Sequence, residues 1–159
     1  MVVVVHNVRS AHNVGSIFRT ADAAGVAKIY LSGYTPAPLD RFNRPVKEIA
    51  KTALGAEMSV AWEKVKDPTV VLKKLKNEGY VIAAVEQSSR SIDYRLYKQT
   101  KPVALILGNE VRGVSAALLR NSDVILEIPM YGKKESLNVA VSFGIVAFGL
   151  RARLVGKLA

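Results

Sequence analysis

Three polar clusters interrupt an otherwise apolar pattern, and each carries residue types that bind or polarise ligands. NVRSAHNVGSIFRT (residues 7–20) holds Asn13 and Arg19. LILGNEVRGVS (105–115) runs from an unbroken apolar stretch into Gly108, Asn109, Glu110, Arg112 and Gly113. IPMYGKKESLN (128–138) sets Ser136 and Asn138 just ahead of a long apolar segment. A glycine, an amide, a carboxylate and a guanidinium at the carboxyl end of a buried strand stand where open α/β sheets bind ligands. Several chemistries are poorly supplied. No GxGxxG follows the first apolar run and no GxxxxGK[ST] occurs, so neither a dinucleotide fingerprint nor a phosphate loop is supported. With two histidines, His6 and His12, and no cysteine, a zinc site lacks ligands. Ser136 and Ser142 have no histidine–acid partners and no GxSxG elbow. Taken singly, each cluster also has a structural explanation. Asn13 and Ser136 suit helix caps, Glu110 and Arg112 an exposed pair, and Gly108 and Gly113 a turn.

The elements that must position these clusters alternate along the whole chain. Residues 2–5 read as a buried strand, and spacings of three and four among Val14, Ile17, Phe18 and Ala21 predict a helix over 13–24, capped by Asn13 and ended by Gly25. That cap would bring Asn13 and Arg19 toward one end of the helix. A strand over 28–32 leads to a proline-rich loop, GYTPAPLDRFNRP (33–45). Further expectations are a short helix over 46–52, a strand near 59–62, a helix from Pro68 to Gly79 and a strand over 80–85. Residues 86–101 read as polar and irregular. Strands over 103–107 and 124–128 flank a short helix at 115–120, and a final helix covers 137–153. Such alternation predicts one α/β domain over 1–159 with a mainly parallel sheet flanked by helices.

The final segment, LNVAVSFGIVAFGL, is apolar nearly all round, whereas a surface helix shows one apolar stripe. A second copy of the chain is the expected cover, with Gly144 and Gly149 allowing close backbone approach. Charge points to a different partner. Lys plus Arg number 23 against 13 Asp plus Glu, a net +10 with a pI near 9.9, and such a field attracts polyanions, nucleic acid first among them. No signal-peptide pattern and no apolar run long enough for a membrane span is seen, and cysteine is absent, so a cytoplasmic, non-membrane protein is expected.

Together and in this order, the three clusters resemble the three motifs of the SpoU (TrmH-like) branch of the SPOUT methyltransferases. HNVGSIFRTADAAG resembles the first motif, LILGNEVRGVS the second and IPMYGKKESLNVAVSFGI the third. KTALGAE (51–57) resembles a segment between the first two. The resemblance implies a carboxyl-terminal deep trefoil knot, a homodimer whose active site is completed across the interface, and methylation of a ribose 2′-hydroxyl in RNA. It implies S-adenosylmethionine as methyl donor, leaving S-adenosylhomocysteine, with no metal. Leu107, Gly108, Ile128, Met130 and Leu137 match the cofactor contacts. Arg19 matches the catalytic arginine, and because a guanidinium stays protonated its expected work is to bind the target phosphate and steady the developing alkoxide. Asn13 would orient Arg19 or the ribose, Glu110 would hold the site by hydrogen bonds, and Ser136 and Asn138 would shape the cofactor loop and the hydroxyl's surroundings. Arg9, Arg41, Arg44, Lys133 and Lys134 are the candidate phosphate contacts to RNA. The first motif begins almost at the amino terminus, which resembles minimal tRNA-modifying members, so tRNA is the expected substrate. Alternatives are rRNA, a non-catalytic RNA-binding member, or a small-molecule α/β enzyme with an incidental basic surface.

Overall fold

The computed structural model describes residues 1–155, with side chains to residue 152; residues 156–159 of the expected domain lie outside the described residues. In chain order the elements are β1 (Val2–His6), α1 (Ala11–Ala23), β2 (Lys28–Ser32), α2 (Lys47–Ala53), α3 (Ala56–Ser59) and β3 (Trp62–Val65). Then come α4 (Pro68–Asn77), β4 (Val81–Val85), β5 (Ile92–Asp93), β6 (Val103–Leu107), α5 (Ala116–Asn121), β7 (Val124–Glu127) and α6 (Val139–Val155). The strands form one sheet in the order β3-β2-β1-β6-β4-β7-β5, and every pairing is parallel.

A parallel sheet covered on both faces needs apolar residues at every position of its central strands. That is why VVVV and VALIL are continuous. Val3, Val5, Leu105 and Leu107 face a core shared with Val14, Ile17 and Phe18 of α1 and Phe143, Val146 and Leu150 of α6. Val2, Val4, Ala104 and Ile106 face the opposite core, with Leu72 and Leu75 of α4 and Leu118 of α5. Each buried Leu or Ile contributes about 1.5–3 kcal/mol by leaving water. β6 lies between β1 and β4, so the carboxyl ends of the three strands border one crevice.

Several expectations are corrected. Ser10, not Asn13, caps α1: its side chain accepts from the Asn13 N–H, so the helix starts at Ala11, and Asn13 sits on its first turn. The strand expected at 59–62 begins at Trp62, because Gly55 at φ +93° starts α3 and carries the helical backbone through Ser59. The irregular stretch 86–101 contains β5, a two-residue edge strand too short to leave a period. Gly144 and Gly149 face their own chain. A Cβ on Gly149 would stand 2.5 Å from the Tyr94 ring, and one on Gly144 would stand 3.6 Å from Thr20. Packing against Tyr94 within the chain accounts for glycine at 149, whereas the contact at 144 is ordinary. α6 still leaves Val141 and Phe148 half exposed. Among the described residues no helix is long and apolar enough to cross a membrane.

Candidate functional site at the carboxyl ends of β6, β4 and β7

β6 delivers Gly108 into a loop that folds back on itself. The Asn109 and Gly113 main chains exchange hydrogen bonds of 3.0 and 2.9 Å, closing the turn. A Cβ on Gly108 would lie 2.3 Å from the Gly113 carbonyl carbon and 2.4 Å from the Val114 nitrogen, so only glycine fits. Gly113, at φ +67°, lies against the Glu86 carboxylate, which accepts from the Val114 N–H at 2.7 Å. Glu86 stands just past β4 and thereby ties two strand ends together.

Asn109 is 8% exposed and fully used. Its Oδ1 accepts from the Val111 and Arg112 N–H groups (3.0 and 2.8 Å). Its Nδ2 donates to the Asn7 carbonyl (2.9 Å) and the Tyr34 hydroxyl (3.1 Å). An asparagine whose side chain closes its own turn holds this loop in place.

Glu110 reaches from the same loop to the amino end of α1. It accepts from the Arg9 N–H (3.0 Å), the Ser10 N–H (3.0 Å) and Asn13 Nδ2 (3.2 Å). Asn13 Oδ1 in turn accepts from Asn138 Nδ2 at 3.0 Å. Asn138 Oδ1 accepts from the Ala140 N–H at 2.9 Å and so caps α6. One hydrogen-bonded line, Glu110–Asn13–Asn138, therefore joins the three polar clusters across separations of about a hundred residues.

A carboxylate at a helix amino terminus is favoured by the helix dipole. Partial burial alone would raise the Glu110 pKa. The N–H donors of Arg9, Ser10 and Glu110 itself, with the Asn13 amide, outweigh it and hold the carboxyl below the usual carboxylate range. A depressed folded-state pKa stabilises the fold above the unfolded-state value, and that stability is lost as pH falls through the folded value. Glu110→Gln is expected to cost about 1–2 kcal/mol at neutral pH. The difference from wild type should begin to shrink as pH falls past the ordinary glutamate value, about 4.3, and should close only below the depressed folded-state value, as measured by denaturant unfolding across pH.

The cleft behind this line is walled by Leu107, Gly108, Leu126, Ile128, Met130 and Leu137, with Glu86, Glu110, Glu127, Ser136 and Ser142 among its polar lining. All five expected cofactor contacts, Leu107, Gly108, Ile128, Met130 and Leu137, line this one cleft. Of the expected catalytic set, Glu110 and Ser136 line it, while Asn13 and Asn138 stand behind Glu110. Ser136 is exposed and is not the helix cap; Asn138 is.

Arg19 is elsewhere. It lies two turns into α1, is exposed, and makes no hydrogen bond or ion pair among the described residues. Asn13 makes no hydrogen bond to Arg19 of its own chain; its amide bonds Glu110 and Asn138. Nor do Glu110 and Arg112 form an ion pair; Arg112 contributes only its main-chain N–H to Asn109. Of the expected RNA contacts, Arg9 is exposed beside Glu110, and Lys133 and Lys134 line a shallow extension of the cleft. Arg41 and Arg44 both stand over the Phe42 ring, and Arg44 also pairs with Asp40 at 2.8 Å. Glu86 is a site-building residue that sequence reasoning did not single out, and Asn109 is named in the second cluster without a role of its own. The signal for Asn109 is an Asn directly after a strand-ending glycine; Glu86 is marked only by a carboxylate at the end of an apolar run.

The sheet and its cleft define a ligand-binding α/β domain whose polar wall is assembled from three loops. Residues 1–148 match the model of the SpoU rRNA Methylase family, and the chain belongs to that family. It is 35% identical over 148 residues to the tRNA (guanosine(18)-2′-O)-methyltransferase of Aquifex aeolicus, covering 93% of this chain and 67% of the relative. It is 35% identical over 150 residues to the 23S rRNA (guanosine(2553)-2′-O)-methyltransferase RlmP of Bacillus subtilis, covering 94% of this chain and 57% of that one. A crystal structure of an AdoMet-bound rRNA methyltransferase from Sinorhizobium meliloti superposes with a TM-score of 0.84 at 32% identity, over 96% of this chain and 56% of that one. The chain thus spans two thirds of the first relative and little more than half of the other two proteins.

Proposed function

We propose that this protein transfers a methyl group from S-adenosylmethionine to a ribose 2′-hydroxyl of RNA, with tRNA as the substrate class. The observation that carries the reading is the Glu110–Asn13–Asn138 line at the lip of a cleft floored by Gly108, because it draws all three polar clusters onto one ligand-sized hollow. The residues present fit the cofactor. Glycine at 108 lets the 109–113 turn close against the end of β6, which sets the main chain of this loop in the cleft wall for an adenine, and apolar walls from Leu107, Ile128, Met130 and Leu137 suit its faces. When bound, S-adenosylmethionine supplies a methyl already activated on a sulfonium, so the site needs no metal.

The chain's own residues then align and stabilise. Ser136 and Asn138 shape the surroundings of the hydroxyl, and Glu110 holds the loop against α1. Arg19 binds the target phosphate and steadies the oxygen as its proton leaves to water or a phosphate oxygen. Arg19 does not line the cleft of its own chain, and this supports a homodimer in which it serves the cleft of the second copy. The half-exposed Val141 and Phe148 on α6, which packs beside α1, support the same arrangement. The likeness to SpoU structures supports a carboxyl-terminal trefoil knot through the cofactor loops. The tRNA assignment rests on the A. aeolicus relative, which this chain matches over a greater share of its length than the B. subtilis rRNA enzyme.

Tritium transfer from labelled S-adenosylmethionine to unmodified tRNA and, separately, to rRNA tests the proposal. Label recovered in a 2′-O-methylated nucleotide of tRNA is the expected result. Label in rRNA alone overturns the substrate class, and label in neither, with folded protein and bound cofactor, overturns the activity.

A further inference from the structure

The loop that leaves the carboxyl end of β2 carries a feature the methyl-transfer reading does not use. Phe42 is 60% exposed at the tip of a small closed turn spanning 39–45. An exposed phenylalanine on a mobile loop would need no explanation, but this one is held. The Asp40 main-chain N–H donates to the Arg44 carbonyl at 2.9 Å, and the Asn43 N–H to the Asp40 carbonyl at 3.0 Å. Asp40 Oδ1 accepts from the Phe42 and Arg44 N–H groups (2.8 and 3.0 Å), and Oδ2 from the Arg44 guanidinium at 2.8 Å. One carboxylate thus fixes the turn, and Asn43 takes the left-handed conformation that lets it close. The guanidinium carbons of Arg41 and Arg44 lie 4.7 and 4.9 Å from the ring centroid.

We propose that this turn is a nucleobase-stacking site: Phe42 takes an unpaired base of the RNA, and Arg41 takes an adjoining phosphate. An aromatic face beside an unpaired guanidinium fits a nucleotide, the ring serving the base and the guanidinium the backbone. The two arginines are not equivalent. Arg44 is anchored by Asp40, whereas Arg41 has no hydrogen bond or ion pair among the described residues and rests on the ring alone. Arg41 can therefore swing to a phosphate and yield its place over the ring without breaking a bond.

The loop's position suits this role. It starts beside the cleft, where the Tyr34 N–H donates to Asn7 Oδ1 and the Tyr34 hydroxyl accepts from Asn109. The Asp40 carboxylate is paired with Arg44, and with Arg41 the turn keeps a net positive charge that attracts a polyanion. Because the turn is rigid before binding, little ordering is spent on contact. The base must be splayed out, which favours loops and junctions over continuous helices.

This inference rests on the RNA-methyltransferase reading. The test is fluorescence anisotropy of the full chain on an unmodified tRNA transcript, titrated with salt, for wild type, Phe42→Ala, Phe42→Tyr and Arg41→Ala. Phe42→Ala should weaken binding about 10-fold with the salt slope unchanged, and Phe42→Tyr should restore it. Arg41→Ala should lower the salt slope by about one. Melting temperature and S-adenosylmethionine binding should be unchanged in all three. Phe42→Ala binding within twofold of wild type overturns the stacking site alone. Wild-type protein that fails to bind the transcript overturns the tRNA reading with it.

Discussion

Arg19→Ala is expected to lower the methyl-transfer rate by about 10²–10³-fold, the loss typical of removing one group that stabilises developing negative charge. Melting temperature and S-adenosylmethionine affinity should stay near wild type. The side chain is exposed and makes no hydrogen bond or ion pair among the described residues, so its removal leaves no buried group stranded. Arg19→Lys should recover little, because an ammonium does not reproduce the planar fork that grips a phosphate. A second measurement separates action on the chain's own cleft from action across a dimer. Arg19→Ala is co-refolded with an equal amount of Gly108→Ala, whose added methyl blocks the cofactor loop. If Arg19 serves the second copy, mixed dimers hold one intact composite site, and the mixture should show about a quarter of wild-type activity. If Arg19 serves its own chain, neither site is whole and the mixture stays inactive. An active Arg19→Ala would remove this side chain from the chemistry altogether.

The contrast between Arg19 and the residues around the cleft also shows what a sequence does and does not reveal. β2 and β6 fall on the residues expected, 28–32 and 103–107, because a strand buried on both faces has apolar residues throughout and turn residues at its limits. β3 is displaced because it is an edge strand: WEKV exposes Glu63 and Lys64, and its composition resembles the loops beside it. The α1 cap falls on Ser10 and not on the expected Asn13, and both residue types cap helices. What decides it is that Asn13 is occupied by Glu110 and Asn138, partners 97 and 125 residues away. No local period encodes such separations. The motif resemblance named the positions, and the fold shows that Asn13 bonds Glu110 and Asn138 and makes no hydrogen bond to Arg19 of its own chain. Gly149 makes the same point. Its meaning depends on Tyr94, more than fifty residues earlier, and a helix wheel of α6 alone assigns it to a partner.

Gly108→Ala should be the most damaging single methyl added to the described chain's cleft. The new Cβ would meet the carbonyl carbon and oxygen of Gly113 at 2.3 and 2.4 Å and the nitrogen of Val114 at 2.4 Å. All three are main-chain atoms, so no side chain can rotate away. Relief requires moving the 109–113 turn, which breaks the paired hydrogen bonds between Asn109 and Gly113 or the Glu86 bond to Val114. Overpacking of this kind costs about 1–3 kcal/mol of stability. The functional loss should be larger, because the same turn carries Glu110 to α1 and forms the cleft wall. A displacement near 1 Å at such a site lowers kcat/KM about 10²-fold, and most of the loss should appear in KM for S-adenosylmethionine. Gly132→Ala is the control: it sits in the loop on the opposite side of the cleft, with nothing within 4 Å of the added carbon, and should bind cofactor like wild type. Calorimetric titration of both variants with S-adenosylhomocysteine decides the matter. Equal affinities would mean that the Gly108 main chain is not the cofactor cradle and that the adenine lies elsewhere. A loss confined to Gly108→Ala would fix the adenosyl group against the end of β6, within reach of the Glu110–Asn13–Asn138 line that positions everything else.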